Sequence, residues 1–239
     1  MMNAKFGKWL FCFVLLTTKA VSAQNHPTET ESAGLRLRIV SSEPAKPRAV
    51  PAVIWLEPLA GTPTLPFSPQ AQYTLLQKNR TFVPHLQVVP VGAVIQFPNA
   101  DPFFHNVFSL FEGKRFDLGL YEAGSTKSVT FSREGVSYIF CNIHPEMSAV
   151  VIALSTPLYA VADASNSFML RNIPPGDYRL HVWVEGVPQS SLVHEDRSLH
   201  LSPGTVDLGT IKAPISRNGN MSHSNKFGNP YSPKPPSIY

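Results

Sequence analysis

Cysteine is scarce in this chain: Cys12 and Cys141 are the only two among 239 residues. Charge is scarce too, with 15% of residues charged and a formal net charge of +4. No basic stripe appears of the kind that tracks a nucleic-acid backbone, so nucleic acid is not expected as a partner. Long apolar runs are missing. The most continuous one, Trp9-Leu10-Phe11-Cys12-Phe13-Val14-Leu15-Leu16, falls well short of the ~20 residues that cross a bilayer as a helix. No long stretch repeats apolar residues at i, i+3, i+4 and i+7, which argues against helices as the main elements.

What is present starts with an address. Lys5 and Lys8 precede the short apolar run, and Val21-Ser22-Ala23 puts small residues where a signal peptidase inspects the chain. Residues 1–23 therefore read as a secretory signal peptide, and the protein as exported, to the periplasm or an equivalent compartment. Its removal takes Lys5, Lys8 and Lys19 away and lowers the formal charge from +4 to +1. Cys12 leaves as well, so Cys141 remains with no partner for a disulfide. In an oxidising compartment a lone thiol is a liability unless something occupies it. Residues 24–33 are polar and are expected to be a flexible leader.

Strand-like runs follow. Leu35-Arg36-Leu37-Arg38-Ile39-Val40 alternates apolar with charged residues, and Ala52-Val53-Ile54-Trp55-Leu56 is a short buried-looking run. Further β-branched and aromatic runs lie at 86–91, 94–97, 106–110, 128–131, 136–140 and 149–154, with Gly92, Gly124 and Gly135 between them at turn positions. The 23 prolines sit at the edges of such runs, where a strand tolerates them. After Thr156-Pro157 the pattern restarts as Phe168–Ile173, a Pro174-Pro175-Gly176-Asp177 turn, and Tyr178–Val184. An all-β protein is expected, with antiparallel sheets packed as a sandwich or barrel. Residues 213–239 are rich in Asn, Ser, Pro and Lys, and are expected to form a disordered tail.

The stretch that carries chemistry is Cys141-Asn142-Ile143-His144-Pro145-Glu146-Met147. A thiol, an imidazole and a thioether stand at spacings of three and three directly after a strand, and His105 opens another strand upstream. With eight histidines and few methionines in 239 residues, a coincidence of both offsets is rare. Two histidines and a cysteine in a trigonal set, with a distant methionine, form a copper site of the electron-transfer kind. The bland alternative makes Cys141 a small buried hydrophobe and His144 a loop histidine. Zinc fits less well, because structural zinc sites favour several cysteines and do not recruit thioethers.

The Cys-x-x-His-x-x-Met spacing and His105-Asn106-Val107 resemble the ligand segments of cupredoxins of the plastocyanin/amicyanin type, with the short loop and Pro145 of amicyanin. The resemblance implies a cupredoxin-like Greek-key β-sandwich over residues 34–156. It also implies one type 1 copper ion, held strongly by His105, Cys141 and His144 and weakly by Met147. Asn106 would hydrogen-bond near the thiolate and fix the loop. Residues 157–212 resemble a carboxypeptidase-regulatory-like β module, a small second sandwich, and the pair is similar to exported bacterial proteins labelled methylamine-utilisation proteins.

The resemblance implies a one-electron carrier between redox partner proteins, a monomer rather than an enzyme. The alternative is a periplasmic copper-binding or delivery protein with no redox circuit. Copper oxidases and nitrite reductases need further histidines in His-x-His pairs, and the chain contains none. Among the other residues, His85 reads as an edge histidine and Trp183 as core. Phe103 and Phe104 read as core or as part of an apolar rim. His181, His194 and His200 are expected to face solvent.

Overall fold

The computed structural model describes residues 32–42, 49–70, 72–110, 113–192, 194–215 and 224–231. The expected signal peptide and nearly all of the leader lie outside the described residues. The strands are β1 (Ala33–Ser41), β2 (Ala52–Pro58), β3 (Tyr73–Thr74), β4 (Leu76–Lys78), β5 (Thr81–Val83), β6 (Leu86–Pro90), β7 (Ala93–Pro98), β8 (His105–Ser109) and β9 (Phe116–Tyr121). They continue with β10 (Thr126–Phe131), β11 (Gly135–Phe140), β12 (Ser148–Leu154), β13 (Tyr159–Val161), β14 (Ser167–Ile173), β15 (Gly176–Val184), β16 (Arg197–Leu201) and β17 (Gly204–Ala213). The one helical element among the described residues is a short 3-10 turn at Gln189–Ser191. The chain is all-β, as expected.

Strands β3 to β12 build a cupredoxin-like sandwich. One sheet runs β6-β12-β11-β8-β9 and the other β10-β7-β3. The chain crosses between them after β6, β7, β9 and β10, in Greek-key fashion. The period-2 pattern of a strand decides which side chains meet. In β7, Ala93, Ile95 and Phe97 point inward, and in β12 Ala149, Val151 and Ala153 meet them across the core.

The second sandwich differs from expectation in its membership. Its sheets are β14-β1-β17 and β13-β2-β15-β16, so β1 and β2 pair with strands of the C-terminal module. β1 lies antiparallel to β14 and parallel to β17, and β2 lies antiparallel to β13 and β15. Residues 34–58 were expected to open the cupredoxin unit. They instead complete the other module, and the cupredoxin-like unit is inserted between β2 and β13. The reason is combinatorial: the alternation of Leu35, Leu37 and Ile39 requires a core face, but nothing in it selects which core. The module needs both chain ends to close its own.

The two units share a seam. Along β12 the residues opposite to the core set, Val150, Ile152 and Leu154, pack against Val53 of β2 and Trp183 of β15. β12 is thus buried on both faces, which explains its unbroken apolar sequence. Trp183 is 2% exposed and its indole N–H donates to the Tyr138 hydroxyl at 3.1 Å, satisfying a polar group that burial would otherwise strand. Trp183 is buried as expected, but in the seam rather than inside either sandwich.

Candidate metal centre

Register brings the ligand segments together. β8 and β11 are antiparallel with Phe108 opposite Phe140, so His105, at the start of β8, lies alongside the residues that follow β11. Those residues form the connection from β11 to β12, closed by the Phe140–Ser148 pair. Within it the Cys141 N–H donates to the Met147 carbonyl at 3.2 Å and the Met147 N–H donates to the His144 carbonyl at 3.0 Å. The connection is a self-bonded turn at one end of the sandwich.

His105 Nδ1, Cys141 Sγ and His144 Nδ1 converge. Sulfur lies 3.7 Å from each nitrogen, and the nitrogens lie 3.2 Å apart. The three are a possible metal-holding group by their mutual distances alone. A point equidistant from all three stands about 2.1 Å from each, which is the length of a metal–imidazole bond and slightly under the ~2.3 Å of a metal–thiolate bond. One thiolate and two imidazoles form a mixed soft and borderline donor set, which suits copper. Met147 is fully buried at the same end of the sandwich.

Burial grades the three groups. His105 and Cys141 are 0% exposed, and His144 is half-buried. Burial pushes both imidazoles below the ordinary histidine value, and at His144 the neighbouring His105 adds to this. Asp101 pulls His105 in the opposite direction. Burial likewise pushes the Cys141 thiol up, against backbone N–H groups of Asn106, Ile143 and His144 that favour the thiolate. Neutral imidazoles are ready to bind metal, and metal would displace the thiol proton on entry.

The surroundings hold one residue that the sequence did not reveal, Asp101, beside others that it did. Asp101 Oδ2 bonds His105 Nε2 at 2.9 Å. Phe103 packs on both imidazoles, with ring centroids 5.2 Å from His105 and 5.4 Å from His144. Phe104 is 43% exposed and belongs to the rim rather than to the core. Asn106 hydrogen-bonds at the sulfur through its backbone N–H, while its side chain turns to Asp117, Nδ2 donating to Oδ1 at 2.7 Å.

Part of the expected disordered tail is also here. Residues 224–231 lie across the connection: the Lys226 N–H donates to Asn142 Oδ1 at 2.9 Å and the Tyr231 hydroxyl to the Cys141 carbonyl at 2.9 Å. Lys226 Nζ pairs with Asp117 at 2.7 Å. Ala213, the first residue assigned to that tail, belongs to β17. No apolar periodicity in 213–239 signals any of this, because the anchoring uses isolated polar atoms.

The remaining histidines are placed as follows. His85 sits at the seam, its Nε2 2.6 Å from Glu185. His194 and His200 are exposed as expected. His181 is not: its side chain is 20% exposed and stacks on Trp55 at 5.0 Å.

No protein-family model matches the chain, and no curated protein sequence does. Among solved structures it is similar to a purple cupredoxin from Nitrosopumilus maritimus, at 24% identity over 36% of this chain and 100% of that one, with a TM-score of 0.31. A reduced amicyanin variant is 19% identical over 35% of this chain and 82% of its own, with a TM-score of 0.33. A copper-containing nitrite reductase from Thermus scotoductus is 23% identical over 49% of this chain and 28% of its own, with a TM-score of 0.33. Likeness at this level is too slight to assign a site, which rests on its own geometry.

Proposed function

We propose that this protein is an exported one-electron carrier in which His105, Cys141 and His144 would hold a single type 1 copper ion, with Met147 as a weak fourth ligand. The observation that supports it is the convergence of two imidazole nitrogens and one buried sulfur on a common centre. Copper in such a donor set supplies a reversible change between Cu(II) and Cu(I).

The chain's own residues supply rigidity and a route. His105 comes from a strand, and Cys141 from a turn closed by its own backbone bonds, so neither donor is free to move away when the charge changes. Phe103 and the core side chains around Cys141 keep water from the sulfur. His144 alone of the three reaches the surface, and its ring edge away from Nδ1 is the natural path for an electron to a docked redox protein. No general base or nucleophile is required, so the reading is of a carrier, working as a monomer between a donor and an acceptor protein. Burial of the sulfur argues against ready handing-on of the metal, and so against copper delivery.

The test is an optical and paramagnetic-resonance spectrum of the protein loaded with Cu(II). An intense visible thiolate-to-copper band is expected, lost in Cys141→Ser. A colourless complex, or a band that survives Cys141→Ser, would falsify the assignment.

A further inference from the structure

We propose that Asp101 is a positioning residue that locks the proton of His105 on Nε2 and biases the metal site toward Cu(II), lowering its reduction potential. The second half rests on the copper reading above; the first does not.

The side chain of Asp101 is 5% exposed, and among the described residues two backbone N–H donors and one imidazole nitrogen face its oxygens. Oδ1 accepts the Asn79 N–H at 2.6 Å, and Oδ2 accepts the Arg80 N–H at 3.0 Å. Oδ2 also lies 2.9 Å from His105 Nε2. The backbone N–H of Asp101 is held in turn by Asn99 Oδ1 at 3.0 Å. The two N–H groups come from a tight hairpin turn: Lys78 of β4 pairs with Thr81 of β5, and Asn79 and Arg80 between them take φ of 55° and 54°. Two successive left-handed residues make the mirror-image turn that suits a hairpin, and the amides of such a turn form a cradle for an anion.

An ionised carboxylate only accepts hydrogen bonds. With two amides already donating, the third contact is satisfied only if His105 carries its proton on Nε2. That leaves the Nδ1 lone pair directed at Cys141 and His144, ready for a metal. A carboxylate on the far nitrogen of a metal-binding imidazole also makes the near nitrogen a stronger donor. Its negative charge, buried and little screened, stabilises the more positive oxidation state. Arg80 acts in the other direction, since its guanidinium lies over the Phe103 ring at 5.2 Å. Arg80 is exposed, however, and solvent and salt screen it, so the buried carboxylate dominates.

Two measurements on the full chain decide the matter. In the metal-free protein, imidazole nitrogen shifts should show His105 protonated at Nε2. In Asp101→Asn, whose amide can donate, the proton should move to Nδ1. In the copper-loaded protein, Asp101→Asn should weaken Cu(II) binding about 10- to 100-fold and Cu(I) binding much less, raising the potential. A wild-type His105 protonated at Nδ1 overturns the lock, even if the variant fails to fold. An unchanged ratio of Cu(II) to Cu(I) affinity in a folded variant overturns the bias. Wild-type protein that takes up no copper overturns the copper reading and the bias with it, while the nitrogen shifts still decide the lock.

Discussion

Tyr231→Phe tests whether the segment 224–231 holds the Cys141–Met147 connection or merely rests on it. The substitution keeps the ring and deletes the 2.9 Å contact from the hydroxyl to the Cys141 carbonyl. Such a bond is worth about 1 kcal/mol net, equivalent to a factor of about five in an opening equilibrium. Two amides report on that opening, because the N–H groups of Cys141 and Met147 bond within the connection itself. Their hydrogen exchange, measured in the metal-free protein, should quicken about fivefold in Tyr231→Phe. Amides in β1 and β14, in the distant module, should be unaffected. Cutting the chain after Ile215 removes the Lys226 contacts as well and should quicken the same two amides further. Exchange unchanged in both variants would show that the segment covers the loop without restraining it, and the reasoning fails.

Other consequences follow from the seam. Trp183→Ala removes a buried indole and should cost about 3–5 kcal/mol. At ~2–4 °C per kcal/mol for a chain of this size, the Tm should fall by roughly 6–20 °C in calorimetry. A loss below about 1 kcal/mol would show that the units are not coupled through this face. His85 gives a pH dependence. The Glu185 hydrogen bond raises its pKa above the ordinary 6.5, against the opposing effect of burial. The stabilisation is therefore complete below pH 6.5 and lost as pH climbs through the folded-state value. Denaturant titrations across neutral pH should show that decline, and Glu185→Gln should flatten it; equal slopes in both proteins would reject the assignment.

The seam also bears on the candidate metal centre. β12 leaves the Cys141–Met147 connection at Ser148 and runs between the cupredoxin-like core and the second module. A strand packed on both faces has little freedom to shift, so the module acts as a backing for the strand that follows Met147. Its strands β2 and β15 present alternate residues to two different cores: Ile54 and Leu180 face inward, and Val53 and Trp183 face the seam.

The turn from Cys141 to Met147 was legible from the sequence alone. Cys141, His144 and Met147 are separated by so few residues that only one short turn can hold them, and period-2 alternation marked most strands and their buried faces. These signals are local, carried by neighbours along the chain. What the tertiary structure alone decided is which partners those local pieces found. The alternation in β1 and β2 demanded a core without naming it, and pairing with β14, β15 and β17 placed them in the second module. The Asp101 carboxylate acts on His105 only because a hairpin some twenty residues upstream cradles it. Tyr231 reaches Cys141 from ninety positions away. Single hydrogen bonds between distant residues leave no periodicity, so they become visible only once the chain has folded.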